Sequence, residues 1–382
     1  MRLLMVTQDF PPEYGGIQTY SYEHARRLYG QCGWFGLICP DKPGAPAVDE
    51  GLDFPVYRIK TRNELLILPL LRKLPGLLTE HSVDAMFHSQ WQTAAASIRA
   101  RNRGRIKKVF VAAHIRELLF NPYEKLPGLG RAFERYKKWV LREADHFYPV
   151  SDYTAGQLKK LGVEDDRLTV VINGTDPERF HPVDVRELKK ELGLGRKKIL
   201  LTITRLVPRK GIDTVLMALA HIRKEIPDIH HLIVGDGPDR SRLENLAKEL
   251  SLTEQVTFTG RIPYEMLNRY YNLGDLFVMP SRTRIPDIEG FGIVFLEANS
   301  CGLPVIGSDS GGIPSAILHG ETGLIIPEGD AGILARETIR LFKDEKRMHK
   351  LGDQGRKRVL REANWDVLSA RLFTDMKARM NL

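Results

Sequence analysis

The chain has 382 residues, 42% apolar and 27% charged, with a formal net charge of +9, a globular composition too long for one compact core and predicting two domains. No apolar run approaches the roughly 18 to 20 residues of a membrane-spanning helix, and Cys32, Cys39 and Cys301 form neither a disulfide framework nor a zinc set, so a spanning protein and a disulfide-stapled secreted one are excluded and the cytoplasm is expected. The positive charge asks for an anionic partner.

Residues 1–7 are too short an apolar run for a signal peptide. They read instead as a first strand at 3–7, followed by strand candidates at 35–39, 56–60, 85–88, 109–114, 147–150 and 169–172. Helical patterns fill most of the gaps, which is how βα units with a parallel sheet read in sequence. Asn173-Gly174 and the two prolines Pro177 and Pro182 then break both helix and strand and mark a linker. The second half repeats the style, with strands expected at 199–204, 231–234, 256–259, 276–279, 304–307 and 323–326. From Asp330 onward helix follows helix, ending in an amphipathic segment at 366–380. The fold class expected is α/β, with two Rossmann-like domains at 1–180 and 181–365 and a terminal helix, 366–382, packing back on the first.

Three places carry chemistry. Gly15-Gly16, after the first strand and before a helix, let bare backbone approach a ligand, and the helix start favours phosphate. No Gly-x-Gly-x-x-Gly occurs, which argues against a nicotinamide enzyme. Arg205, Arg209 and Lys210 follow the first strand of the second half, at the sheet edge where α/β domains bind ligands. Arg205 suits bidentate contact with phosphate oxygens and Lys210 supplies a point charge. In Asp287-Ile288-Glu289-Gly290-Phe291-Gly292-Ile293-Val294-Phe295-Leu296-Glu297, glycines open an apolar helix whose first N–H groups are free to hold an anion. Its two carboxylates, Glu289 and Glu297, suit a polyol beside that anion.

Glu289 and Glu297, Arg205 and Lys210, Gly15-Gly16, Gly235-Asp236-Gly237-Pro238 and Ser308-Asp309-Ser310-Gly311-Gly312-Ile313-Pro314, in this order, resemble glycosyltransferase family 4 of GT-B fold over essentially the whole chain. The resemblance implies two Rossmann-like domains facing across a cleft, acceptor on the first and nucleotide sugar on the second. It also implies a retaining reaction with no cofactor and no metal; the chain has no Asp-x-Asp, only Asp287-Ile288-Glu289. Carried over by position, it places Arg205, Lys210 and Gly16 on the donor diphosphate, with the backbone of Ile293 and Val294. Glu297 falls on the ribose, Glu289, Phe291 and Gly292 on the hexose, and Arg261 and Ile262 beside the base. His114 matches the histidine next to the anomeric carbon, and Gly15 and Gly235 belong to the donor-binding loops. Ser315 stands where the family commonly has glutamate.

The loop Pro280-Ser281-Arg282-Thr283-Arg284 is similar to that of phosphatidylinositol mannoside mannosyltransferases, pointing to GDP-mannose and a lipid-linked or glycan acceptor. UDP-glucose or UDP-N-acetylglucosamine with a polysaccharide or small acceptor is the alternative. From other classes, a nucleotide-sugar 2-epimerase or a non-catalytic nucleotide-sugar-binding module stays open. Six cations in residues 99–108, five in 131–142 and an apolar run at 65–74 with a basic end suggest a face for an anionic membrane, placing the protein at its inner surface. No nucleic-acid-binding motif is present.

Overall fold

A computed structural model describes residues 1–381, which divide into two compact units, Met1–Asn173 with Trp365–Leu382, and Gly174–Asn364. The first holds β1 (Arg2–Val6), β2 (Trp34–Pro40), β3 (Val56–Ile59), β4 (Ala85–His88), β5 (Lys108–Ala113) and β6 (His146–Pro149). They form one parallel sheet ordered β3-β2-β1-β4-β5-β6. The second holds β7 (Lys198–Ile203), β8 (Ile229–Val234), β9 (Val256–Gly260), β10 (Leu276–Met279), β11 (Val305–Ser308) and β12 (Gly323–Ile326), parallel in the order β12-β11-β10-β7-β8-β9. Each is a doubly wound Rossmann-like sheet. The strand order reverses between β1 and β4 in one and between β7 and β10 in the other, the places where such sheets receive ligands.

Helices cover both faces, so the strands are buried on both sides and read as near-continuous apolar runs. Leu3, Leu4, Met5 and Val6 are fully buried, as are Leu276, Phe277, Val278 and Met279. His230 and His231 interrupt β8, and the Nε2 of each meets a threonine, Thr257 at 2.9 Å and Thr202 at 2.9 Å; a buried polar group so paired escapes part of its desolvation penalty.

Two expectations need correcting. Residues 169–172 form no strand: the chain runs beside β6, donating Thr169 N–H to the Phe147 carbonyl and Val171 N–H to the Pro149 carbonyl, with one bridge from Phe147 to Leu168. The division between units falls after Asn173 rather than after residue 180. Side chains of the second unit hold the intervening segment: Asn268 Oδ1 accepts from His181 N–H and Asn272 Oδ1 from Val183 N–H, both at 3.0 Å, while Ser300 Oγ donates to the Phe180 carbonyl.

The terminal helix Trp365–Arg379 belongs to the first unit. It lies against the helix Gly16–Tyr29, where Arg27 pairs with Asp366 at 2.6 Å and His24 Nδ1 meets Ser369 Oγ at 2.8 Å. Asp375 accepts from Tyr148 of β6 at 2.8 Å. Trp365 is buried among the rings of Tyr20 and His24.

Candidate active site

In the second unit every sequence-predicted donor residue follows the C-terminal end of a strand. After β7 come Thr204 to Val207, a single turn of 3-10 helix Pro208–Lys210, and the helix Ile212–Glu225. Gly211 joins them at φ +70°, and a Cβ there would lie 1.9 Å from the Pro280 carbonyl oxygen, so only glycine lets this loop pack on the one after β10. Gly235, after β8, has φ +131°, and its Cβ would fall 1.9 Å from the Thr204 oxygen. Two strand-end loops are thus held closer than any side chain permits.

Within that packing Glu289 Oε2 meets Lys210 Nζ at 2.5 Å and Arg209 Nη1 at 2.7 Å, while Arg209 Nε reaches Asp287 Oδ2 at 3.1 Å. Burial alone raises a carboxyl pKa, but Lys210 and Arg209 outweigh it and hold Glu289 down at about 2. Burial also lowers the Lys210 ammonium from its ordinary value, and Glu289 opposes the fall. Lys210 and Glu289 therefore stabilise each other's charged forms. Arg205 is exposed on the same loop and makes no ion pair among the described residues. Arg209 is the cation that the sequence reading left without a role; its signal was only a third basic residue in that loop.

Gly292, at φ +93°, starts the helix Ile293–Ser300 with no capping side chain and no acidic residue in the first turn. The N–H groups of Ile293 and Val294 are orphan donors of that turn, and both residues are half-buried. Phe291 is buried, so it offers a ligand its backbone. Glu297 accepts from Tyr271 Oη at 2.5 Å, and burial pushes its carboxyl up to about 7. The two predicted carboxylates thus differ, one locked as an anion and one poised near neutrality. Arg261, exposed, and Ile262, half-buried, follow β9 directly, where Gly260 accepts from Gly235 N–H at 2.9 Å.

A second network fixes the frame. Buried Asp213, at the start of the helix Ile212–Glu225, takes the Arg282 guanidinium on Oδ1 and Arg242 on Oδ2 at 3.1 Å. Arg242 also pairs with Asp239 at 2.6 Å, and Arg282 N–H donates to the Arg209 carbonyl at 2.7 Å. Asp213 thereby staples the loops after β7, β8 and β10. Asp213→Ala is expected to cost about 1–3 kcal/mol of stability, less than a fully buried pair because both arginines are partly exposed. Loop displacement should lower kcat/KM as well; thermal melts and steady-state kinetics check the two effects separately.

In the first unit, Gly15 and Gly16 are exposed at the start of the helix Gly16–Tyr29, with no capping side chain. Just before them Asp9 is gathered by Gln90 at 2.5 Å and Gln18 at 3.0 Å, and burial raises its carboxyl. His114 ends up just past β5, buried, with Nε2 3.0 Å from the Ser89 carbonyl and its ring edge-on to Tyr20. A carbonyl only accepts, so Nε2 carries the hydrogen. Burial lowers this imidazole to about 4, leaving it neutral at physiological pH. The next residue, Ile115, sits at φ +92°, a region a β-branched side chain enters only under constraint. Glu117 Oε1 accepts from His114 N–H at 2.6 Å, and burial pushes Glu117 up to about 7. Neither Asp9 nor Glu117 was singled out from sequence; Glu117 lay three residues beyond a nominated histidine.

Comparison with known proteins agrees with this geometry. The family model described as "Glycosyltransferase Family 4" matches residues 14–179, and "Glycosyl transferases group 1" matches residues 184–358. A GDP-mannose-dependent alpha-(1-6)-phosphatidylinositol monomannoside mannosyltransferase of Mycobacterium tuberculosis is 34% identical over 97% of this chain and 97% of its own. The chain belongs to the group 1 and family 4 glycosyltransferases. A Corynebacterium glutamicum relative, named a GDP-mannose-dependent monoacylated alpha-(1-6)-phosphatidylinositol monomannoside mannosyltransferase, is 30% identical over 97% of this chain and 96% of its own. Among solved structures, Anabaena HepE in complex with UDP superposes with TM-score 0.82 at 19% identity, covering 99% of this chain and all of that one. A Rickettsia africae glycosyltransferase gives 0.82 at 17% identity, covering 99% and 98%. Both share the GT-B fold.

The glycosyltransferase therefore breaks a bond from a sugar to a leaving group, and the hexosyl group goes to an acceptor. Its second unit brings Lys210, Arg209 and Glu289 into contact; Arg205 stands free on the same loop. Glu297 is held by Tyr271 farther along the helix, and it does not touch the cation cluster through any hydrogen bond of the described residues.

Proposed function

We infer that the chain transfers mannose from GDP-mannose to a lipid-linked acceptor of phosphatidylinositol mannoside type, retaining anomeric configuration. The supporting observation is 33–34% identity along nearly the full length of relatives bearing that donor and acceptor in their names. When the glycosidic C–O bond breaks, charge grows on the leaving diphosphate. Arg205 and Lys210, with the N–H groups of Ile293 and Val294, meet that charge. The leaving phosphate then takes the acceptor proton on the same face. His114 of the first unit is buried and neutral at physiological pH. Asp287 and Glu289 are both engaged by Arg209, and side-chain cations supply the stabilising charge in this proposal.

A lipid acceptor places the work at a membrane surface, the inner face for a cytoplasmic protein. No helix among the described residues is long and apolar enough to cross a membrane, so the basic first unit would provide attachment.

The test is transfer from labelled GDP-mannose, UDP-glucose or UDP-N-acetylglucosamine to a phosphatidylinositol mannoside acceptor. Acceptor-dependent mannose incorporation with release of GDP is expected. Incorporation from the UDP sugars alone would replace the donor, and nucleotide release without any acceptor would indicate an epimerase. Donor binding with no turnover would leave a binding module.

Glu297 gives this reading a pH signature. An ionised carboxylate accepts two ribose hydroxyl hydrogens, and with its carboxyl at about 7 that form is lost as pH falls through neutrality. The KM for donor is expected to rise as pH falls from about 8 to about 6. Glu297→Gln should flatten that profile at a uniformly raised KM, which steady-state kinetics across pH will reveal.

A further inference from the structure

Glu297, the carboxylate expected on the ribose, is held by a single side chain. Its Oε2 accepts from Tyr271 Oη at 2.5 Å. Its Oε1 has no hydrogen-bond partner among the described residues and is not closed off from solvent. The two oxygens therefore differ, one engaged inside the second unit and the other open. An ionised carboxylate oxygen offers two lone pairs, so Oε1 alone can accept from both hydroxyls of a ribose.

Tyr271 is itself fixed in place. It ends the short helix Leu267–Tyr271 and is fully buried. Its ring meets Phe180 edge-on with centroids 5.6 Å apart and Phe277 at 5.9 Å. The segment carrying Phe180 is in turn pinned from both sides: Asn268 and Asn272 accept from His181 and Val183 N–H at 3.0 Å, and Ser300, on the helix of Glu297, donates to the Phe180 carbonyl. Where the phenol sits is thus decided by packing, and where the carboxylate sits is decided by the phenol. Fixing a glutamate side chain loses rotamer freedom, and a contact made before the ligand arrives removes that loss from binding.

The charges agree with this division of labour. Burial raises the Tyr271 phenol far above its ordinary range and the Glu297 carboxylate adds to the rise, so Tyr271 keeps its hydrogen and remains the donor. In return the hydrogen bond, with Arg179, holds the Glu297 carboxyl below the value that burial alone would give it. Among the described residues, Arg179, Tyr264 and Cys301 are the other charged or titratable groups facing the pair. Arg356, on the neighbouring helix Glu345–Arg361, gives its guanidinium to the Ser300 carbonyl.

We propose that Tyr271 is a positioning residue for nucleotide recognition, its hydroxyl holding Glu297 Oε2 so that Oε1 meets the ribose hydroxyls. The inference rests on the ribose reading of Glu297 and adds to it the side chain that makes this carboxylate selective for an intact ribose. It does not depend on which base the donor carries.

The full chain is titrated calorimetrically with GDP, with UDP and with the 2′,3′-dideoxy analogue of each, from about pH 6 to about pH 9. In wild type the ribonucleotide should bind about tenfold tighter than its dideoxy analogue, and Glu297→Gln should remove most of that preference. Tyr271→Phe keeps the ring that packs on Phe180 and Phe277. It should cut the preference about three- to tenfold at neutral pH while leaving the Kd of the dideoxy analogue within about twofold of wild type. Without the phenol the Glu297 carboxyl rises further, so the pH at which the preference is half lost should move upward in Tyr271→Phe. A tyrosine that only supports the fold would weaken ribonucleotide and dideoxy analogue alike and leave that midpoint in place. Either result would overturn the proposal, and so would an unchanged preference in Tyr271→Phe beside a lost one in Glu297→Gln. Equal binding of the two nucleotides by wild type, or a full preference kept by Glu297→Gln, would remove Glu297 from the ribose and the proposal with it. Tighter binding of UDP than of GDP would count against the guanine donor alone, since the ribose comparison is then read on the UDP pair.

Discussion

Lys210→Ala is expected to lower kcat/KM by about 10²–10³-fold, the range seen when one preorganised electrostatic donor is removed from a charge-developing transition state. The side chain is buried, and its ammonium lies between Glu289 Oε2 and Met279 Sδ at 3.6 Å. Its charge acts in a medium where it is screened less than at the surface. The fold should survive, because Glu289 keeps Arg209 at 2.7 Å. Lys210→Arg should not restore full activity: the planar guanidinium is larger than the ammonium that fills this position. Steady-state kinetics with thermal melts decide the matter. Wild-type turnover in Lys210→Ala would remove Lys210 from the leaving-group site, and a collapsed melting temperature would recast it as a structural residue.

The sequence was most legible where burial on both faces made apolar runs. Strands such as β4, β10 and β12 coincide with the stretches expected, since a parallel strand under helices has no polar face to blur it. Residues 169–172 carry a similar apolar run, yet they form only occasional hydrogen bonds beside β6. Apolar periodicity reports burial, and pairing depends on a neighbour the local sequence does not name. The same limit applies to the site. Glycines preceding a helix were readable at Gly292 because backbone conformation is a local property. The contact between Arg209 and Glu289 joins residues 80 positions apart, and the staple from Asp213 to Arg282 spans 69. No spacing rule within one loop reveals either. His114 was nominated by position, but its neutral state comes from burial and its ring is held at the Ser89 carbonyl, which only the assembled sheet brings to it.

Glu289→Ala is expected to cost activity by orders of magnitude for a reason that differs from Lys210→Ala. Removing the carboxylate leaves Arg209 and Lys210 side by side, largely shielded from water and without the shared counter-charge. Breaking a buried pair from one side leaves an uncompensated charge, so about 1–3 kcal/mol of stability should go as well. The ammonium is the group able to relieve that strain by losing its proton. Burial and Arg209 both lower Lys210, and Glu289 opposes them; with Glu289 gone, the pKa falls further. The alkaline limb of the kcat/KM profile should therefore move to lower pH in Glu289→Ala than in wild type, and the variant should lose more of its remaining activity as pH rises. In wild type, the Glu289 carboxyl at about 2 stays ionised throughout the neutral range, so its own titration shapes neither limb there. A double-mutant cycle with Lys210→Ala should be strongly non-additive, the double variant being little worse than the poorer single one, as for residues that act as a unit. Additive losses, or an alkaline limb that does not move, would mean that Glu289 serves the donor directly and owes nothing to its hold on the two cations.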